Sequence, residues 1–380
     1  MKFNIPDYAV KILNRLHQEG HEAFFVGGCV RDFLMGNLPH DYDVCTSASP
    51  EEIKKCFKDF VTIDTGIQFG TVIVLSEHNP VEVTTYRIDG EYNDSRHPES
   101  VSFTSDLRED LARRDFTMNA LAYSEESGVV DYFQGKEAIK ERKIIAVGKP
   151  EKRFKEDALR MMRALRFASV LGFEIENSTS NAIKLQIDDI KEVSKERIQT
   201  ELSKLVTGDY ADHIIHIYAS ELQKILKGFV PATVGNLPKI PVVRLAYLFP
   251  GNTGQYLKIL RYDKKTIRGA EQLNSIKKES FSKTEKDIIR LLRKYGEETT
   301  MLLFRINREE ECLLNLMKKN PCYSIKQMKI SGSDLIEKGY GKGPEIGAML
   351  EEILDEIIDG KLKNNRKELL EYAERRLSNE

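Results

Sequence analysis

The sequence predicts an α+β protein: a mixed-sheet segment over residues 1–148 followed by an elongated, all-helical remainder. Three observations carry this. Short β-branched or aromatic runs bounded by Gly, Asn or Pro fall before residue 148. After Gly148-Lys149-Pro150 the pattern turns helical, with few strand candidates. The strand-rich part also holds a glycine pair, Gly27-Gly28, shortly ahead of Asp41-Tyr42-Asp43.

Taken in order, residues 6–20 predict an opening helix with Val10, Ile12, Leu13 and Leu16 on its apolar side. Strands are expected at 24–26, 41–45, 71–75 and 81–86. The polar stretch 89–106 reads as a long loop or a weakly ordered hairpin. Pro-containing breaks at 231–241 and 320–322 mark sub-boundaries within the helical remainder. A hydrophobic content of 41% and a charged content of 31% fit a globular chain of several units. No apolar stretch is long enough to span a bilayer, and the N-terminus lacks a signal-peptide core. The five cysteines show no metal spacing and read as reduced thiols of a cytoplasmic protein. The net charge of −2 hides a basic segment, 258–294, with twelve Lys/Arg against five acids. Such a surface suits a phosphate backbone, or is a set of solvated helix faces.

The chemistry concentrates in four places. The run Phe24-Phe25-Val26 stops at two glycines, where a phosphate can approach without a Cβ in the way. Asp41 and Asp43, two apart on a strand, point to one face, and paired carboxylates suit Mg²⁺. Glu82 on a neighbouring strand is either a third carboxylate of that site or an ordinary exposed strand position. In Arg113-Arg114-Asp115-Phe116-Thr117-Met118-Asn119 the guanidiniums match phosphate oxygens, while Asp and Asn can hold ribose hydroxyls. The bland reading is a helix start capped by Asp115.

From Glu156 onward a helix is expected whose only polar positions between 157 and 171 are Asp157, Arg160, Arg163, Arg166 and Ser169. Spacing of three makes a narrow polar stripe between apolar rows, which points to a cleft rather than to solvent. Asp157 and Arg160 pair an acceptor with a donor one turn apart. Cytosine and adenine each offer an amino donor beside a ring-nitrogen acceptor, whereas uracil and guanine reverse the order. Such a pair can accept C and A without a nucleic-acid template.

At these residues the chain resembles the class II tRNA nucleotidyltransferases, the bacterial CCA-adding enzymes of the polymerase-β-like superfamily. The motifs are GGCVRD with DYD, RRDFTMNA, EDALRMMRALRFA and ERIQTEL (196–202), with a similar tail at 330–354. The resemblance implies a polymerase-β-like nucleotidyltransferase head (1–148), then a neck (149–207), a body (208–320) and a tRNA-binding tail (321–380). It implies two Mg²⁺ ions at Asp41 and Asp43, with Glu82 beside them. Gly28, Arg31 and Arg114 would contact the incoming nucleotide, and Asp115 and Asn119 its ribose. Asp157 and Arg160 would read the base, supported by Arg163 and Arg166. CTP, ATP and tRNA would be the partners; no membrane or protein partner is expected. The spacing of a metal-dependent phosphohydrolase domain after the neck is absent. One departure is Arg96-His97-Pro98, where relatives often carry Arg-Arg-Pro in a flexible loop. A-adding, CC-adding and poly(A)-making relatives share the head motifs, though the long 89–106 stretch favours full CCA addition. A non-catalytic RNA-binding protein is the remaining alternative, against which the intact Asp41/Asp43 pair stands.

Overall fold

The computed structural model describes residues 3–90, 101–276 and 284–378. They form two compact units, Met1–Gly235 with Ile259–Tyr262, and Asn236–Lys258 with Asp263–Glu380. The Arg96-His97-Pro98 triplet and the cations Lys277, Lys278 and Lys283 lie outside the described residues.

In the first unit α1 (Asp7–Gln18) buries Ala9, Ile12, Leu13 and Leu16, as the periodicity requires. The main sheet contains β1 (Ala23–Val26), β2 (Asp43–Thr46), β3 (Val61–Gly66), β4 (Thr71–Ser76) and β5 (Asn79–Thr85). β6 (Arg87–Asp89) and β7 (Val101–Phe103) make a separate two-stranded ribbon. β8 (Leu121–Ser124) and β9 (Gly128–Asp131) complete the seven-stranded order β3-β4-β5-β2-β1-β8-β9. Only the β2–β5 pair is parallel among these ladders, so the sheet is mixed.

Both sheet faces are covered. Ala23, Phe25, Val44, Val72 and Val83 pack with α1, α2 (Gly28–Leu34) and α3 (Pro50–Cys56). Phe24, Val26 and Cys45 face the other way, against Leu107 and Leu111 of α4 (Leu107–Ala112). Two-sided burial explains why β1 reads as a continuous apolar run rather than an alternating one. Val26 pairs with Asp43 across β1 and β2, so the glycine turn and Asp43 emerge at the same end of the sheet. That register also corrects one expectation. β2 begins at Asp43, opposite the last residue of β1, and Asp41 lies just ahead of the strand and exposed.

After α5 (Gly135–Lys140), β10 (Lys143–Ile144) pairs in parallel with β11 (Glu174–Ile175), a strand inside the segment expected to be helical. α6 (Pro150–Glu156) and α7 (Leu159–Leu171) are separate helices, not one. Asp157 between them is extended, at φ −147° and ψ 102°. Its carboxylate accepts from Leu159 N–H at 3.1 Å, as a capping side chain does, and this starts α7 afresh. α8 (Asn177–Gln186) and α9 (Lys195–Thr207) follow. Ser169, the last position of the polar stripe, is buried and donates to the Leu205 carbonyl of α9 at 2.6 Å. α10 (Ala211–Ile217) and α11 (Ala219–Ile225) end the unit's main segment.

Among the described residues the second unit is helical: α12 (Pro241–Leu248), α13 (Thr253–Ile259), α14 (Lys264–Ile276), α15 (Glu285–Ile306), α16 (Glu310–Lys318), α17 (Gly332–Glu337), α18 (Pro344–Ile358) and α19 (Arg366–Leu377). α15 kinks at Gly296, whose φ of 80° is one that only glycine adopts readily. One apolar cluster joins α15 to α16, and another gathers residues between Cys322 and Ala373. Among the described residues no helix is long and apolar enough to cross a membrane, and all five cysteines are free.

The α7–α9 contact leaves no room for a side chain at Gly208, where a Cβ would collide with the Ser169 backbone carbonyl. Gly208→Ala is expected to destabilise the protein by about 1–3 kcal/mol through overpacking. A drop in the urea unfolding midpoint at unchanged slope checks this.

Candidate active site

The sheet end where β1 stops and β2 starts opens into a cleft of about 460 Å³. Gly28, Arg31, Asp43, Arg114, Asp115 and Asn119 reach it from the sheet side. Asp157, Arg160, Arg163 and Arg166 reach it from the α6–α7 segment. Ten of the twelve residues singled out from the sequence therefore share one cavity; Asp41 and Glu82 do not line it.

The glycine turn shapes one wall. Gly27 sits at φ 73° and opens α2, and a Cβ there would lie 2.9 Å from Arg114 Nη1. Gly27 is thus required by its backbone, and a Cβ there would press on Arg114. Arg114 is anchored behind the turn by Asp110, a carboxylate that also takes Arg113 at 2.8 Å. Burial opposes the charge of Asp110, yet Arg113 and Arg114 hold its carboxyl below the ordinary range.

A chain of alternating charge crosses the cleft. Arg31 donates to Asp32 at 2.7 Å and to Asn119 Oδ1 at 2.8 Å. Asn119 donates to Asp115 Oδ1 at 3.1 Å, and Arg163 Nε donates to Asp115 Oδ2 at 2.8 Å. Arg163 Nη1 lies 3.8 Å from Glu201, which accepts from Arg166 Nε at 2.9 Å. Asp115 does not cap a helix, contrary to the bland alternative: a 3₁₀ turn, Thr117–Asn119, follows it, and its carboxylate faces the cleft. Burial alone would raise its pKa, but Arg163, Asn119 and Arg160 bring it down to about 2.

The base-reading candidates are held rigidly. Asp157 accepts from Arg197 at 2.7 and 3.2 Å as well as from Leu159 N–H. A carboxylate offers about four acceptor positions, so roughly one remains. Arg160 donates to Glu156 at 2.9 Å and to the Arg113 carbonyl at 2.9 Å. Glu156 takes Arg153 as well, at 2.7 Å.

The acidic corner lies beside the cleft. Asp43 and Glu82 are register partners on the parallel β2–β5 pair, so their side chains leave the same sheet face. Burial, then Glu82 and Asp41, push the Asp43 pKa up to about 6 against the opposing charge of Arg114. Like charges concentrated this way suit a cation that relieves them. Among the described residues no three His, Cys, Asp or Glu side chains form a complete metal cage. Two carboxylates completed by water and substrate phosphates are a common Mg²⁺ environment. Behind this corner, burial and then Asp43 push the Cys29 thiol up to about 12.

Sequence reasoning gave no role to Asp110, Glu156, Phe167, Arg197 or Glu201, all of which build the cleft or hold its lining. Arg197 and Glu201, four apart on α9, carried a signal: helical spacing puts both on one face.

A glycine turn beside paired carboxylates on a mixed sheet is the layout of a nucleotidyl-transfer head. Residues 23–145 match the Poly A polymerase head domain. Residues 172–227 match the probable RNA and SrmB-binding site of polymerase A, and 243–373 the putative domain 2 of tRNA nucleotidyltransferases. A CCA-adding enzyme from Bacillus cereus is 36% identical, covering 96% of this chain and 97% of its own. One from Levilactobacillus brevis is 34% identical with 96% of each covered. The Bacillus stearothermophilus CCA-adding enzyme in complex with CTP superposes with a TM-score of 0.85 at 30% identity over 99% of both chains. The chain belongs to the CCA-adding enzyme family of tRNA nucleotidyltransferases.

Asp43 has a folded pKa above the ordinary 3.8, so its ionisation disfavours the folded state. That penalty is absent below about pH 4 and complete above about pH 6. In metal-free buffer Asp43→Asn is therefore expected to raise the Tm at pH 7.5, with the gain vanishing by pH 4. Added Mg²⁺ should stabilise the wild type and not the variant. Thermal unfolding across pH, with and without the ion, measures both.

Proposed function

We propose that the protein completes tRNA 3′ ends by adding C, C and A from CTP and ATP, releasing pyrophosphate, in the cytoplasm. The observation that carries this is the single cleft. It joins a glycine turn and phosphate-matching arginines to a fixed acceptor–donor pair, Asp157 and Arg160, beside the Asp43 corner. The tRNA 3′-hydroxyl attacks the α-phosphorus of the bound nucleotide. An O3′–P bond forms, the bond to the bridging oxygen of the β-phosphate breaks, and the hydroxyl proton leaves to solvent. Gly28, Arg31 and Arg114 seat the triphosphate, while Asp115 and Asn119 hold the ribose. Asp157 accepts from the amino group of C or A, and Arg160 donates to the adjacent ring nitrogen. Arg163 and Arg166 support this edge through Asp115 and Glu201. Mg²⁺ held by Asp41 and Asp43, with Glu82 adding charge beside them, would supply Lewis acidity to the attacking oxygen and the departing pyrophosphate.

We assign residues 1–148 as head, 149–207 as neck, 208–320 as body and 321–380 as tail. The separate apolar cluster between Cys322 and Ala373 supports the last boundary. tRNA would lie on the helical part.

Incubating the protein with tRNAs ending at the discriminator base, at C and at CC, with single nucleotides, tests this reading. It also separates full CCA addition from A-only and CC-only addition. Asp157→Ala is expected to lower the single-turnover rate and to lose discrimination against UTP and GTP. A site built to hydrogen-bond a group can discriminate by ~10⁴-fold or more. Retention of the wild-type preference for CTP and ATP would place base reading elsewhere.

The basic segment 258–294 is less available to tRNA than its composition implies. Lys286 and Arg290 pair with Asp359 at 2.6 and 2.9 Å, Arg293 with Glu351 and Asp355, and Lys265 with Glu298 at 2.9 Å. Among the described residues Lys264 and Arg268, exposed beside a groove of α14, carry no such pair. Lys264→Ala with Arg268→Ala should therefore flatten the log–log salt dependence of tRNA binding, by roughly one unit for each phosphate no longer engaged. Arg290→Ala with Arg293→Ala should leave the slope nearly unchanged. Filter binding from about 50 to about 300 mM salt, over which screening of exposed charge steepens, reads the difference.

A further inference from the structure

Phe167 follows Arg166 on α7 and is 4% exposed. Three guanidinium carbons approach its ring: Arg166 at 3.5 Å from the centroid, Arg31 at 5.2 Å and Arg163 at 5.5 Å. Phe116 meets the same ring edge-on, at 5.9 Å and 86°. Cation–π contacts of consequence occur roughly once per 70–80 residues. Three on one ring therefore call for a reason beyond chance packing.

The three arginines are the positive members of the charge chain that crosses the cleft. Its two ends, Arg31 on α2 and Arg166 on α7, both reach Phe167, so the ring closes the chain on itself. Their carboxylate partners are Asp32, Asp115 and Glu201. The cations also crowd each other: burial and then Arg163 hold the Arg166 pKa below its ordinary value. An aromatic face attracts a guanidinium without taking any of its five N–H donors. A carboxylate in the same place would fix the cation but occupy the donors a nucleotide needs.

We propose that Phe167 is a positioning residue for the incoming nucleotide, its ring holding Arg31, Arg163 and Arg166 in one array, with Arg31 left donors for phosphate and Arg163 and Arg166 kept in place beside the base edge. This rests on the nucleotidyl-transfer reading of the cleft and names how its arginines are kept in place. An ordinary core phenylalanine would depend on volume alone, whereas this role depends on ring electrons.

The test is a series in the full chain in which residue 167 carries phenylalanine, then its 4-fluoro, 3,5-difluoro and 3,4,5-trifluoro forms, with Phe167→Leu and Phe167→Tyr alongside. Each fluorine withdraws density from the ring face at nearly constant shape. CTP binding by equilibrium titration and single-nucleotide addition to tRNA are read together with the unfolding midpoint. The Kd and KM for CTP are expected to rise stepwise, to roughly ten-fold at three fluorines. Leu should lose at least as much, Tyr should stay near the wild type, and kcat and the unfolding midpoint should change little along the fluorinated series. A flat series in an active enzyme overturns the positioning role alone, as does a loss that tracks the unfolding midpoint. A series with the graded CTP response, in which even the wild type adds no nucleotide, overturns the enzymatic reading and keeps this one.

Discussion

The Asp115 carboxylate is the contact on which the cleft depends. It sits on a turn between α4 and β8, where the Phe116 N–H and the Asn119 amide fix it from its own segment, and Arg163 reaches it from α7. A buried carboxylate is tolerable only when charged partners surround it. Its pKa of about 2 records that they do. The requirement is mutual, since without Asp115 the neighbouring guanidiniums would face each other across an enclosed space. With the bond from Arg160 to the Arg113 carbonyl, this ion pair ties the strand-rich and helical segments into one site.

The same logic accounts for the second layer. Asp110 holds Arg113 and Arg114, Glu156 holds Arg153 and Arg160, and Arg197 holds Asp157. Arg114, Asp157 and Arg160 thus have their orientation set by partners that need not touch the ligand. Preorganisation of this kind favours selectivity, because a fixed acceptor cannot turn to suit the wrong base edge.

Much of this was legible in the sequence, and the failures have physical causes. β1 was readable because burial on both faces makes it uniformly apolar. β3 was not, because it is a sheet edge whose Val61 and Ile63 face solvent, which blurs the alternation. The polar stripe on α7 was readable from its spacing of three. The break at Asp157 was not, because no Gly or Pro marks it and its cause is a carboxylate bonded to Arg197, forty residues on. Local pattern gives the element; it does not give the partner. The basic segment teaches the same point. Arg290 and Arg293 look available until Glu351, Asp355 and Asp359, 58 to 69 residues away, are found against them.

Cys29 lies on α2 directly behind the acidic corner, and Cys45 lies on β2 two residues past Asp43. Burial pushes the Cys29 thiol to about 12 and Cys45 well above its ordinary value, and the carboxylates nearby push the same way. Only the thiolate attacks electrophiles or peroxides at a useful rate. Burial beside the acidic corner, with Asp43 acting on Cys29 and Asp110 on Cys45, therefore makes both sulfurs inert. Oxidants and alkylating agents should find their target at exposed Cys312 in the second unit, and leave the synthetic centre intact.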